Sequence, residues 1–154
     1  MTDELKNFID KYKAIETEIK LLQEDKKNLI DIFMNSFENL DIISKKVIIK
    51  KHPDLGKKLK IDNNLTTLSR NEQENVGLNK CTPEEYDFFH KMNNEFKLKF
   101  DIPFIFAVKG SNKNIIIEEF KRRLINDDVN KEFEESVKQV KKIALFRLED
   151  NIND

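Results

Sequence analysis

Apolar residues near the start of the chain recur at alternating intervals of three and four: Leu5, Phe8, Tyr12, Ile15, Ile19 and Leu22, resuming at Leu29 and Phe33. Lys26 occupies the position that this register skips. Such a heptad seam of about four repeats predicts one long helix with an apolar stripe along one side. A stripe this short serves equally as a face that packs on its own domain or as a seam that pairs with a second copy. Residues 39–41 then read as a break. IISKKVIIKK (42–51) reads as a short helix that stops before Pro53, because the residue preceding a proline is pushed out of the α region. His52 is thereby placed at a helix end.

A polar connector, IDNNLTT, leads to Ser69, and Glu72 stands three residues further on. That spacing is that of a capping box and predicts a helix over 69–78. A second start signal follows at TPEE: Thr82 as the N-cap, Pro83 at the first helical position and acids in the first turn. Its helix, to about residue 100, carries Tyr86, Phe89, Met92, Asn93 and Phe96. Pro103 opens FIFAVKG, an apolar run too short for a typical helix and suited to a buried extended segment. Two further helices are predicted over 113–124 and 129–148, the last with Phe133, Val137, Val140, Ile143, Ala144 and Leu148 along one side.

Composition narrows the picture. Gly 3 and Pro 3 in 154 residues leave few breakers, so the pattern adds up to an all-α chain, a single-domain multi-helix bundle. Within it, 1–37 is the heptad helix, 38–150 the remaining helical domain and 151–154 a tail. A net charge of −1 provides no global field to hold a polyanion, so nucleic acid is disfavoured as a partner. Only a local patch would serve, with Lys45, Lys46, Lys50 and Lys51 as its candidates; their ordinary role is a solvated helix face. A single cysteine, Cys81, excludes an internal disulfide and argues against a thiolate metal site. MTDELKNFIDKYK lacks the apolar core of a signal peptide, and no stretch has membrane-spanning length. The expected location is the cytoplasm.

Candidate chemistry begins with the two histidines, His52 and His90. Alone, His52 reads as a cation at a helix C-terminus, and His90 as a surface residue in mid-helix. Ser69, Glu72 and Gln73 likewise have ordinary readings as a cap, a capping acid and a solvated residue. Their combination changes this. HPDLGKKL, then LSRNEQENVGL, then KFDIPFIFAVKG, then RRLIND and VKKIALFRL resemble, in order and spacing, the 2-oxo-4-hydroxy-4-carboxy-5-ureidoimidazoline (OHCU) decarboxylase family, over residues 29–148.

The resemblance implies a helical fold and the decarboxylation that completes the conversion of urate to (S)-allantoin, without metal or organic cofactor. It implies His52 as the catalytic residue with Glu72 beside it. Pro53, Ser69, Gln73 and the apolar segment Phe104, Ile105, Phe106, Ala107 and Val108 would bind the ureidoimidazoline substrate, and Arg123 matches a family arginine in the penultimate helix. It also implies a homodimer. The chain departs from the family pattern in its first helix, which lacks the FE.SPW and RPF motifs, at Asp101 where glycine is usual, and at Val76 where a smaller residue is usual. A second resemblance, of the heptads and KKVIIKK to short DNA-clamping coiled-coil proteins of alphaproteobacterial nucleoids, defines the alternative: a non-catalytic dimeric scaffold or DNA-binding protein.

Overall fold

The computed structural model describes residues 3–56 and 66–153, with side chains as far as residue 150. Among them are six α-helices and one 3₁₀ turn, and no strand: α1 (Asp3–Glu38), α2 (Ile42–Lys50), α3 (Thr67–Asn75), the turn Leu78–Lys80, α4 (Pro83–Phe100), α5 (Lys113–Leu124) and α6 (Val129–Asn153). The all-α expectation is met. No helix among the described residues is long and apolar enough to cross a membrane. The chain divides into two compact units, Met1–Asn39 with Leu148–Asp154, and Leu40–Arg147.

In the first unit, α1 runs 36 residues, with Asp3 and Glu4 in its first turn, where acids complement the helix dipole. The seam is open to solvent: Leu5, Phe8, Tyr12, Ile15, Ile19, Leu22 and Leu29 are all at least half exposed, Phe8 at 68%. Only towards its end does α1 bury an aromatic, Phe37, whose ring stacks at 6.3 Å on Phe33.

The second unit is built on phenylalanine. Phe89, Phe96, Phe104 and Phe120 are fully buried and meet edge to face or stacked, Phe104 on Phe120 at 3.5 Å between centroids. Rings of this size supply most of the apolar area that a small core can remove from water. Thr82 is the N-cap of α4, as the TPEE pattern predicts, and the structure adds a full capping box with Glu85. Thr82 Oγ1 accepts from the Glu85 N–H, and Glu85 Oε2 accepts from the Thr82 N–H at 2.8 Å.

The capping box expected at Ser69 does not form. Thr66 is the N-cap of α3, its Oγ1 accepting from the Ser69 N–H at 3.2 Å, so Ser69 lies inside the first turn. The helix also ends earlier than expected, at Asn75, because Gly77 turns left-handed (φ 82°) and the chain continues as the 3₁₀ turn.

Asp101 ends α4 in the left-handed conformation (φ 58°) that glycine adopts at little cost. Its carboxylate is held by Lys50 at 2.7 Å and Lys46 at 3.7 Å, so two of the lysines of the candidate phosphate patch face an acid of their own chain. From there Ile102 to Val108 runs outside any helix or strand and forms a largely buried strap, its burial being what the apolar run predicts.

Candidate active site

Within the second unit, a small cleft is lined by His52, Pro53 and Leu55 from the turn after α2, and by Ser69, Glu72 and Gln73 from α3. Phe104, Ile105, Phe106 and Val108 of the strap and Ile143 and Arg147 of α6 complete it. Spacings of three and four put Ser69, Glu72 and Gln73 on one face of α3, and the same rule aligns Ile143 with Arg147 on α6.

The polar wall is organised by Arg147. Its Nε donates to Glu72 Oε1 at 2.6 Å and its Nη2 to Glu72 Oε2 at 2.7 Å, a bidentate pair that fixes both side chains. Nη2 also donates to Ser69 Oγ at 3.2 Å. Thr66 Oγ1 donates to the same oxygen at 3.0 Å, so among the described residues Ser69 accepts twice.

His52 closes α2: its N–H donates to Ile49 O at 3.0 Å, and Pro53 stops the helix. Among the described residues, its imidazole has no hydrogen-bond partner. Burial holds its pKa below the ordinary value, the Arg147 cation lowers it further, and Glu72 opposes both. The cleft therefore favours the neutral ring, beside the Glu72–Arg147 ion pair.

Of the residues picked out by sequence, His52, Pro53, Ser69, Glu72, Gln73, Phe104, Ile105, Phe106 and Val108 meet at the cleft, whereas Ala107 and Arg123 do not line it. The Ala107 N–H donates to Gln139 Oε1 at 2.9 Å, one turn before Ile143 on α6. Arg123 is 2% exposed and serves the strap from beneath: Nη1 donates to Ile105 O at 2.6 Å, its head pairs with Glu132 and bonds Ser136 Oγ, and the guanidinium lies 4.7 Å from the Phe104 ring centroid. Gln73 is 2% exposed and turned to the protein, Oε1 accepting from the Gly56 N–H at 3.1 Å. Arg147 was not singled out by sequence. Its available signal was position: it falls one turn after Ile143 on the apolar side of α6.

A family model described as OHCU decarboxylase matches residues 3–149, α1 included. The uric acid degradation bifunctional protein of Bacillus sp. (strain TB-90) is 39% identical over 103 residues, 67% of this chain and 20% of that protein. The Xenopus laevis 2-oxo-4-hydroxy-4-carboxy-5-ureidoimidazoline decarboxylase is 34% identical over 111 residues, 72% of this chain and 63% of that one. The protein of the same name from Halalkalicoccus jeotgali is 34% identical over 103 residues, covering 67% and 56%. The aligned part of the chain thus spans less than two thirds of the length of each of these relatives.

Proposed function

The chain belongs to the OHCU decarboxylase family, and we propose on that footing that it decarboxylates 2-oxo-4-hydroxy-4-carboxy-5-ureidoimidazoline to (S)-allantoin in urate degradation. The observation that carries this reading is the gathering of His52, Ser69, Glu72 and Arg147 at one cleft walled by the apolar strap.

The substrate carbon that loses carbon dioxide carries a hydroxyl and adjoins an unsaturated ring. When its bond to the carboxylate breaks, the electron pair left behind delocalises into the heterocycle, and a proton delivered to one face consumes it. The reading therefore needs no metal and no organic electron sink. The protein has to hold the carboxylate out of the ring plane, meet the spreading charge and move a proton stereospecifically. His52, neutral at rest, is the acid/base group. Glu72 sets the field around it while anchored by Arg147. The Ser69 hydroxyl and the face of Phe104, Ile105, Phe106 and Val108 hold the heterocycle and its ureido arm, with Pro53 shaping the entrance. Gln73 contributes by fixing the turn behind His52, and Arg123 by fixing the strap.

In this reading the catalytic part is residues 38–150, and the active form is a cytoplasmic homodimer to which the α1 seam contributes. Its test is direct. Substrate generated freshly by urate oxidation and hydroxyisourate hydrolysis is mixed with the protein, and circular dichroism follows optically active allantoin. Dextrorotatory product should appear much faster than without protein; equal rates would sink the proposal.

A further inference from the structure

Three residues one turn apart on α4, Phe89, Asn93 and Lys97, face three consecutive residues of the turn after His52 in reverse order. The Phe89 ring lies against Gly56, where a Cβ would stand 2.3 Å from Phe89 Cγ. Asn93 Nδ2 donates to Leu55 O at 2.8 Å and to Phe89 O at 2.8 Å. Lys97 Nζ donates to Asp54 Oδ2 at 2.6 Å, on a carboxylate that is 5% exposed. From the other side, Gln73 Oε1 accepts from the Gly56 N–H at 3.1 Å, and its Nε2 reaches Asp54 O at 3.5 Å. Each residue from 54 to 56 is thus gripped by a side chain distant in sequence, and Asp54 is two residues from His52.

Asn93 is the telling member. It is 2% exposed, and its Oδ1 is buried with no partner among the described residues. Turning the amide over would set that oxygen against two carbonyl oxygens. An apolar side chain would leave no orphaned acceptor of its own but would release the Leu55 carbonyl. The amide is explained by where it holds the turn.

We propose that Asn93 and Lys97 are positioning residues, which fix the place of His52 in the cleft by clamping Asp54 and Leu55. The proposal rests on the decarboxylase reading of the cleft for its kinetic consequence, but not for its structural one. His52 is anchored upstream by the last turn of α2, and Pro53 has no N–H with which to anchor itself. The clamp therefore supplies the fixed point downstream, and a displacement of an acid/base group by an ångström is enough to cost a large factor in rate.

The test uses Lys97→Met, Lys97→Arg and Asn93→Leu in the full chain, with kcat, KM, thermal melting and the proton resonances of His52, which has only His90 to be distinguished from. Lys97→Met should lower kcat tenfold or more at a KM within twofold of wild type and displace the His52 signals, and Lys97→Arg should restore both. Asn93→Leu should act in the same direction; should it fail to fold, Lys97→Met carries the test, since that side chain is 43% exposed. Wild-type kcat and unmoved His52 signals in a folded Lys97→Met protein, with only the melting temperature lowered, would overturn the proposal. If wild type shows no turnover at all, the decarboxylase reading fails, and the His52 signals still decide the clamp.

Discussion

His52 stands between opposing influences, and their signs can be read separately. Burial and then Arg147 hold its pKa down, while Glu72 holds it up. Arg147→Met should therefore raise the His52 titration midpoint and move the acid limb of kcat/KM to higher pH. Glu72→Gln removes the one raising influence and should move both to lower pH. Shifts in the same direction in both variants would refute this assignment of signs. Stability follows by linkage: a folded-state pKa below the ordinary 6.5 means that the unfolded chain takes up the proton first. The contribution of His52 is thus complete above about pH 6.5 and is lost as the pH falls towards the folded value, a slope that His52→Asn should flatten. The same substitution should abolish nearly all turnover with helicity unchanged, because asparagine carries no proton that ionises near neutrality. Near wild-type turnover in that variant would move the chemistry to another group.

The strap and the turn after His52 both lack a hydrogen-bonded ladder of their own, and each is held by side chains from other elements. Beneath the strap, Arg123 and Glu132 are both almost completely buried. Arg123→Met should cost about 3–5 kcal/mol in chemical denaturation, since it leaves the Glu132 charge buried without its partner, and combining it with Glu132→Leu should recover much of that loss. An additive double variant would show that the pair is not coupled. In the turn, Gly56→Ala meets both a left-handed backbone (φ 71°) and the Phe89 ring, and should destabilise by about 2 kcal/mol or more. This scale also shows what local pattern could and could not disclose. The Thr82 cap with Pro83 behind it and the burial of the apolar run 104–108 were legible, because a helix start and a short apolar segment are local patterns. Ser69 was misplaced because Thr66 offers the same hydroxyl three residues earlier, and the spacing alone does not say which oxygen reaches an N–H. The surroundings of the two arginines were hidden for a related reason. Arg123 and Arg147 each sit on a helix beside apolar residues, and their roles are set by Glu132 and Glu72, partners brought by the fold rather than by the periodicity.

For the whole molecule, the open question raised by the heptads was what their stripe meets, and in the single chain Leu5 to Leu29 meets solvent. A row of large apolar side chains along a 36-residue helix is more than a soluble monomer ordinarily leaves uncovered. Wild-type protein should sediment as a dimer at micromolar concentration. Ile15→Lys or Ile19→Lys should dissociate it, because the new charge would lose its water without gaining a partner, whereas Lys13→Glu on the outer face should not. A monomeric wild type would assign the stripe to another role. The heptad was fully legible in the sequence; whether it packs within one chain or between two was not, because both use the same spacing.

The pairing of Glu72 with Arg147 spans 75 residues. Translation delivers the histidine turn, α3 and the strap well before the codon for Arg147 is read, and closing a loop of that length carries an entropic cost. A nascent or prematurely terminated chain that stops within α6 before Arg147 would possess His52, Ser69 and the apolar wall, yet leave Glu72 without the guanidinium that pairs with it. The cleft is completed only once the ribosome has passed Arg147, so on the proposed reading turnover reports that synthesis has run at least that far.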